Sequence, residues 1–144
     1  ILPNKHQIEK GRAKLPPAWY SIMGLQFENL VINNFHELDA ILGITPNQVL
    51  FDNPFFFFFS RDKAGCHIDY LIQDKFNTLY VCEIKFSKEP ISTWVIDEVE
   101  EKIKRMKIPK GFSTRPVLIV INGVTDTVLE REYFVKIIDF AKLL

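Results

Sequence analysis

Apolar residues recur at helical spacing in two segments of the chain, and these segments predict two helices. The first helix is expected over about 19–42, with Gly43 suited to its C-terminal end. Its predicted inward face consists of Leu30, Asn34, Leu38, Ile41 and Leu42. The second helix is expected over about 92–107, and Pro109 and Gly111 end it. Its apolar stripe consists of Val95, Val99, Ile103 and Met106.

Shorter apolar segments predict strands over 49–60, 66–73, 79–86, 115–122 and 133–138. The first strand contains five consecutive phenylalanines over 55–59, which cannot alternate between an inner and an outer face. We therefore expect both faces of this strand to be covered. The competing interpretation is an exposed oligomer surface, because such a run on a sheet edge invites association. A helical turn over 140–144 is expected at the end, with Asp139 as its cap.

The second and third predicted strands form a hairpin whose register follows from their hydrophobic faces. A loop over 74–78 pairs Gln73 with Leu79. In this register the apolar residues of the two strands meet on one side, which supports it. The predicted core side consists of Ile68, Tyr70 and Ile72 on one strand and Tyr80, Cys82, Ile84 and Phe86 on the other.

The predicted order of elements is helix, three strands, helix and strand, with an extra C-terminal strand. A helix that connects two neighbouring strands implies a parallel pair, whereas the hairpin is antiparallel, so a mixed sheet is expected. We predict an α/β domain over 18–144, with helices on both faces of a mixed β-sheet. Residues 1–17 are polar and hold three prolines, and they predict a linker or an N-terminal arm.

Composition and charge narrow the range of functions. The chain has 144 residues, of which 47% are hydrophobic, enough for one domain with a substantial core. Its formal net charge of zero argues against strong nonspecific binding to nucleic acid by this chain alone. Cys66 and Cys82 form no CxxC pair and lie too far apart in the hairpin for a disulfide, so we expect two small core residues. Without a membrane-span candidate or a signal peptide, we expect a cytoplasmic protein.

The polar face of the hairpin carries the candidate chemistry. The register places Asp69 across from Glu83 and His67 across from Lys85. Directly opposed residues have Cβ atoms only ~5 Å apart, and two carboxylates at that distance repel each other. A divalent cation such as Mg²⁺ or Mn²⁺ would offset the repulsion, and Lys85 could stabilise a phosphate or orient water. This combination is typical of metal-assisted phosphodiester hydrolysis, although such residues also occur as solvated positions of an exposed sheet face.

At these residues the sequence resembles the PD-(D/E)XK nuclease superfamily. Asp69 matches the first acid of the motif, with Ile68 in place of the preceding proline, and CEIKF over 82–86 matches the (D/E)xK strand. Glu28 matches an acid that many members carry on the first helix. The resemblance implies a helix, three strands, helix and strand core. It also implies metal binding by Asp69, Glu83, Glu28 and the main-chain carbonyl of Ile84.

An ordered set of segments is similar to one branch, the C-terminal domain of prokaryotic, archaeal-type P-loop ATPases. The set consists of Trp19, GLQFENL over 24–30, AILGI over 40–44, GCHIDYLI over 65–72 and CEIKFS over 82–87. No G-x-x-x-x-G-K-[ST] loop is present. The resemblance therefore implies an upstream ATPase domain in the same polypeptide, and the first residue, Ile1, also favours a longer protein.

These observations predict a metal-dependent nuclease domain that acts on DNA, with Lys85 positioning the nucleophile. His67 and Lys102 are candidate nucleic-acid contacts, although His67 as a polar neighbour of Lys85 and Lys102 as part of a salt-paired helix face are the alternatives. Two other functions stay open. One is an inactive nuclease fold that serves as a nucleic-acid or protein binding module, and the other is an oligomerisation domain that uses the phenylalanine-rich strand as a homo-oligomer contact.

Overall fold

The computed structural model of the chain describes residues 17–57 and 66–143. The predicted arm lies outside the described residues except for Pro17, and so do residues 58–60 of the first predicted strand. Both faces of the phenylalanine-rich strand were predicted to be covered. Within the run, only the side chain of Phe55 is described, and it packs against a core cluster. Within these ranges, no helix is long and apolar enough to cross a membrane.

The described chain contains four α-helices, five strands and two short 3₁₀ helices. The α-helices are α1 (Pro17–Asn33), α2 (Phe35–Leu42), α3 (Trp94–Arg105) and α4 (Asp126–Arg131). The strands are β1 (Val49–Phe57), β2 (Cys66–Asp74), β3 (Thr78–Lys85), β4 (Ser113–Val120) and β5 (Lys136–Asp139). The 3₁₀ helices span Pro46–Gln48 and Phe140–Leu143.

The five strands form one mixed sheet in the order β1-β2-β3-β4-β5. β1 and β2 pair antiparallel, as do β2 and β3, whereas β3–β4 and β4–β5 are parallel. The parallel β3–β4 pair is connected through α3, because a parallel connection needs a crossover. The predicted α/β class with a mixed sheet is confirmed.

Helices cover both faces of the sheet, as predicted. On one face, α1 and α2 pack against the sides of β2, β3 and β4 that carry Tyr70, Ile72, Tyr80, Cys82, Ile84, Val117 and Ile119. On the other face, α3 and α4 bury Val95, Ile96, Val99 and Val128 against Leu118 and Val120. β3 lies in the middle of the sheet, so its side chains alternate between two covered faces.

Two helices replace the single helix expected over 19–42. Asn34 leaves the helical conformation with φ −112° and ψ 19°, and its Nδ2 donates a hydrogen bond to the Leu30 carbonyl at 2.7 Å. An Asn side chain competes in this way with the helical backbone pattern. The predicted core position of Leu30 was wrong, since it is 41% exposed, and Phe27 and Val31 are buried instead. α1 has apolar residues on several sides, so the periodicity of its sequence did not determine which side faces the core.

The hairpin has the predicted register, but a β-bulge alters one strand. β2 and β3 pair from Gln73–Leu79 to Tyr70–Cys82, as expected. On the other side of β2, Asn53 pairs with Leu71 and Phe55 with Ile68, so Asp69 and Tyr70 together lie opposite the single residue Pro54. The extra residue reverses the alternation of side chains.

The bulge corrects one predicted core contact. Ile68 was expected to share a face with Tyr70 and Ile72, and this was wrong: it packs with Leu71, Leu79 and Val81 on the α3 side of the sheet. The expectation assumed strict alternation through Asp69, which a bulge interrupts. The Asp69 side chain therefore begins at the point where the strand changes face.

The C-terminal part was predicted less completely. β5 was expected over 133–138 and is shorter, and α4 was not expected because six residues are too few for a clear helical period. The terminal helical turn is confirmed as a 3₁₀ helix, and the Ala141 N–H donates to the Asp139 carboxylate at 3.1 Å.

We expect the core between the sheet and α3 to contribute strongly to stability. Leu118→Ala removes a side chain with 0% exposure and should lower the free energy of unfolding by about 2–5 kcal/mol, because lost burial and the remaining cavity add. The matched control is Leu129→Ala on α4, where the side chain is 54% exposed and the change should stay within about 0.5 kcal/mol. Urea unfolding measures both, and equal losses would contradict this assignment of the core.

Candidate metal and phosphate site

Asp69 lies at the bulge of β2, where the backbone pairing with β3 ends and a side-chain hydrogen bond connects the two strands. In the described chain the last β2–β3 pair at this end is Tyr70–Cys82. Asp69 and Glu83 were predicted to pair directly across the ladder, and they do not. Instead, the Ile84 N–H donates to the Asp69 carboxylate at 2.8 Å. Asp69 is only 6% exposed, so this carboxylate is held against the backbone of β3.

Glu83 is the most buried acidic side chain described, with 1% exposure. It points to the same face as Val81, under α3. The Lys102 amine donates to both carboxylate oxygens, at 2.9 and 3.0 Å, and the Lys85 amine lies 3.1 Å from Oε1. Two lysines from different elements therefore neutralise one buried acid.

Lys85 connects this pair to the start of α3. Its amine donates to Glu98 at 2.9 Å and lies 5.5 Å from the centre of the Trp94 ring. Lys102 lies 3.8 Å from the same Glu98 oxygen. Glu83, Lys85, Glu98 and Lys102 thus form a network of two acids and two bases, called here the ion cluster.

A second group adjoins Asp69. Ligand atoms of Glu28, His67 and Asp69 all lie within 4.8 Å of one another, and His67 Nδ1 is 3.4 Å from Asp69 Oδ1. Glu28 comes from α1 and the other two come from β2, so helix packing on the sheet creates the group. Two carboxylates and an imidazole at this spacing can hold a metal ion. We call them the acid–histidine trio.

The electrostatics of the two groups are linked. Burial raises the pKa of Asp69 above its usual range; the Ile84 N–H opposes this effect, and the Glu28 charge adds to it. Burial and the Asp69 charge raise the pKa of Glu83, against the effect of the two lysines. Burial alone would lower the pKa of Lys85, but Glu83 and Glu98 outweigh it and the pKa is raised. Asp69 and Glu83 therefore destabilise each other's charged forms, whereas the charged form of Lys85 is stabilised.

The structure brings most of the predicted site residues together, but they form two groups instead of the one group that was predicted. Asp69, Glu28 and His67 adjoin, while Glu83 lies with Lys85 and Lys102. His67 was expected beside Lys85, and the contact that the structure shows is with Asp69. Lys102 pairs with Glu83 on β3 and also with Glu98 on its own helix. The metal, catalytic and nucleic-acid roles of these residues stay predictions.

Three contributions were not anticipated. Ile84 was predicted to offer its carbonyl to a metal, whereas the contact seen here is its N–H to Asp69. Glu98 and Trp94 were not assigned to the site. Their signal lay in the spacing, because Trp94, Glu98 and Lys102 recur every four residues and such residues share one side of a helix.

Of the two cysteines, only Cys82 has a described side chain. Cys82 is a fully buried free thiol on the α1 side of the sheet, and burial raises its pKa, which suits the predicted role as a small core residue. The side chain of Cys66 lies outside the described part, so its predicted role stays untested.

Comparisons with known proteins add no relative. No protein-family model, no curated protein and no solved structure matches this chain.

The charge of Asp69 should lower the stability of the metal-free protein. Asp69→Asn keeps an oxygen for the Ile84 N–H and removes the charge. Since the folded pKa is raised above 3.8, stability is lost as pH rises through it. We expect Asp69→Asn to raise Tm by a few degrees at about pH 7, and the gain to vanish at about pH 4.

Thermal melts followed by circular dichroism in a chelator-containing buffer measure this effect. The control is Asp97→Asn, an exposed acid in the first turn of α3, which should bring no gain at either pH. A loss of Tm at neutral pH in Asp69→Asn would contradict the electrostatic account.

Proposed function

We propose that the chain is a metal-dependent nuclease domain that hydrolyses DNA phosphodiester bonds. The observation that supports it most is the placement of two buried, mutually destabilising acids, Asp69 and Glu83, beside the amine of Lys85. A fold selected only for stability gains little from burying acids side by side. Metal-assisted hydrolysis of a phosphate ester uses these groups.

The acid–histidine trio fits a divalent cation. The pKa of Asp69 is raised by burial and by Glu28, so a bound cation would relieve the destabilisation that this carboxylate carries. Its two carboxylates suit Mg²⁺ or Mn²⁺, whereas an imidazole nitrogen is a less usual ligand for Mg²⁺. Mn²⁺ is therefore the better probe ion. Glu83 is less suited to bind the ion, since both of its carboxylate oxygens already accept hydrogen bonds from Lys102.

In this proposal the residues divide the work between two groups. Asp69, Glu28 and His67 hold the ion, which when bound would polarise the phosphate and activate water. Lys85 donates from its amine to a phosphate oxygen and so stabilises the charge that develops there. Glu83 keeps that amine in place through the 3.1 Å contact. Lys102 fixes Glu83 from α3 and brings positive charge to the side of the site that would face the nucleic-acid backbone.

The zero net charge bears on the partners. A neutral domain gains little from counterion release and should hold DNA weakly when alone. We therefore propose that an upstream P-loop ATPase domain of the same polypeptide, which the sequence resemblance implies, holds the substrate against this site.

A second candidate is a binding module without turnover. It is favoured by one observation: Lys85 and Lys102 already lie about Glu83 at 2.9–3.1 Å. The cations of the protein itself therefore occupy positions that a metal would take at this carboxylate. Such a module would retain the fold and contact nucleic acid or protein without cleaving it.

Metal binding is expected to depend on the trio. His67→Ala and Glu28→Gln should each weaken Mn²⁺ binding about tenfold or more, because each removes one of three ligand atoms. Isothermal titration with Mn²⁺ measures this directly. Glu37→Gln, at an exposed acid of α2, is the control and should leave the affinity unchanged. Equal binding by all four proteins would remove the trio as the metal site.

Cleavage is expected to depend on Lys85. Lys85→Met keeps the apolar stem and removes the amine, so metal-dependent cleavage should fall by about a hundredfold or more. Lys104→Met, at an exposed lysine of α3, should cleave at the wild-type rate. Linear, nicked and branched DNA would be incubated with Mg²⁺ or Mn²⁺, using this domain and the domain joined to its upstream region.

Because Lys85 belongs to the ion cluster, the Tm of Lys85→Met is recorded alongside its activity. Cleavage only by the longer protein would show that the isolated domain cannot hold its substrate. Absence of cleavage by both proteins, together with no Mn²⁺ binding, would favour the binding module.

A further inference from the structure

Trp94 is an aromatic side chain that the core does not use. It is the first residue of α3 and is 49% exposed, whereas the next two residues, Val95 and Ile96, are both at 0%. A tryptophan usually buries most of its large apolar surface. About half of this aromatic surface is therefore open to a partner.

The position of the ring points to the site. The Lys85 amine lies 5.5 Å from the ring centre and 3.1 Å from Glu83. The ammonium group and the ring attract each other, so this contact holds the indole at the surface beside the ion cluster. An exposed aromatic surface thus adjoins the amine that we assign to the phosphate.

Phe76 provides an internal comparison. It is the other large aromatic side chain among the exposed hydrophobic residues described, at 67%, and the Lys75 amine lies 5.4 Å from its ring centre. Phe76 lies in the hairpin turn, at the far end of β3 from Lys85. Thr78 and Lys85 are seven positions apart along the strand, which is roughly 23 Å. The two rings share exposure and a lysine neighbour but not proximity to the acids.

We propose that Trp94 stacks an unpaired base of single-stranded DNA at the entrance to the site, next to a phosphate held by Lys85. The proposal rests on the proposed function and assigns it a substrate class. Bases in a duplex are stacked on one another, so their faces are not accessible to an indole. An aromatic platform beside basic groups is the arrangement that single strands use, and stacking does not depend on base identity. A single-stranded end or the unpaired arm of a branch would bind here in preference to an intact duplex.

A purely structural role for Trp94 predicts different behaviour. If the ring only shields the ion cluster, then Trp94→Ala would lower Tm and would weaken the binding of single-stranded and duplex DNA equally. If it stacks a base, the variant loses the preference for single strands. Trp94→Phe keeps an aromatic face and should retain most of that preference. The ratio of the two affinities therefore separates the roles.

The binding test uses the whole chain with EDTA present, so that its result does not depend on cleavage. A labelled oligothymidylate and a hairpin duplex of equal charge are titrated at low salt, and fluorescence anisotropy gives each Kd. We expect Trp94→Ala to weaken oligothymidylate binding by about tenfold and to leave hairpin binding within about twofold. Trp94→Phe should stay within about threefold of wild type, and Phe76→Ala should match wild type for both DNAs.

Fluorescence of the indole provides a second measurement. The chain has two tryptophans, so a Trp19→Phe background leaves Trp94 as the sole tryptophan. Oligothymidylate should quench its emission, with half of the maximal quenching at the Kd found by anisotropy, because a stacked base quenches the indole.

The outcomes separate this proposal from the proposed function. If oligothymidylate binds equally to wild type and Trp94→Ala, stacking is overturned, whatever the cleavage assay shows. If neither DNA binds to the wild-type chain, stacking is again overturned. If the preference for single strands is lost in Trp94→Ala while neither the domain nor the longer protein cleaves DNA, stacking is supported and the site belongs to a binding module.

Discussion

Glu83 can lie almost completely buried in the middle of the sheet only because two lysines reach it from different elements. Lys102 extends from α3, and Lys85 lies two residues after Glu83 on β3. Both amines lie within about 3 Å of the Glu83 carboxylate. An uncompensated charge at this depth is strongly unfavourable, and removing one member of such a pair costs about 3–5 kcal/mol. The interaction therefore sets how α3 lies on the sheet near the site. It also determines where Glu98 and Trp94 lie, since both are on the same helix.

Asp69 imposes the second constraint, and it acts through the backbone. The β-bulge at Asp69 and Tyr70 changes the face of the strand, and the Asp69 carboxylate then accepts the N–H of Ile84. This hydrogen bond joins β2 to β3 where their ladder has ended. Because the carboxylate is held this way, it faces Glu28 and His67 with little freedom to move. A ligand group that is already oriented loses less entropy when it binds an ion.

The two groups are complementary in charge. The ion cluster contains equal numbers of acids and bases, whereas the acid–histidine trio contains two acids and one histidine. Burial and neighbouring charge raise the pKa of Asp69, so the trio is the part of the site that a cation would relieve. Lys85 and Lys102 instead lie about Glu83 and Glu98 in the ion cluster. The trio therefore carries the excess negative charge of this region, whereas the charges of the ion cluster are balanced.

The sequence by itself determined the order of the five strands, the helix between β3 and β4, and the hairpin. Alternation along 79–86 correctly placed Tyr80, Cys82, Ile84 and Phe86 on one face and Glu83 and Lys85 on the other, because a central strand has a side-chain period of two. The register from Gln73–Leu79 to Tyr70–Cys82 followed from matching apolar faces. The mixed sheet followed from the order of elements, since a hairpin is antiparallel and a crossover is parallel.

Only the tertiary structure decided which polar groups meet. The bulge at Asp69 depends on pairing with β1, and no local pattern in β2 indicates it, so Ile68 was assigned to the wrong face. The break at Asn34 was hidden because α1 is apolar on several sides. The partnership of Lys102 with Glu83 spans 19 residues of sequence and depends on how α3 packs on the sheet. Periodicity describes one element at a time, whereas contacts between elements depend on the packing of all of them.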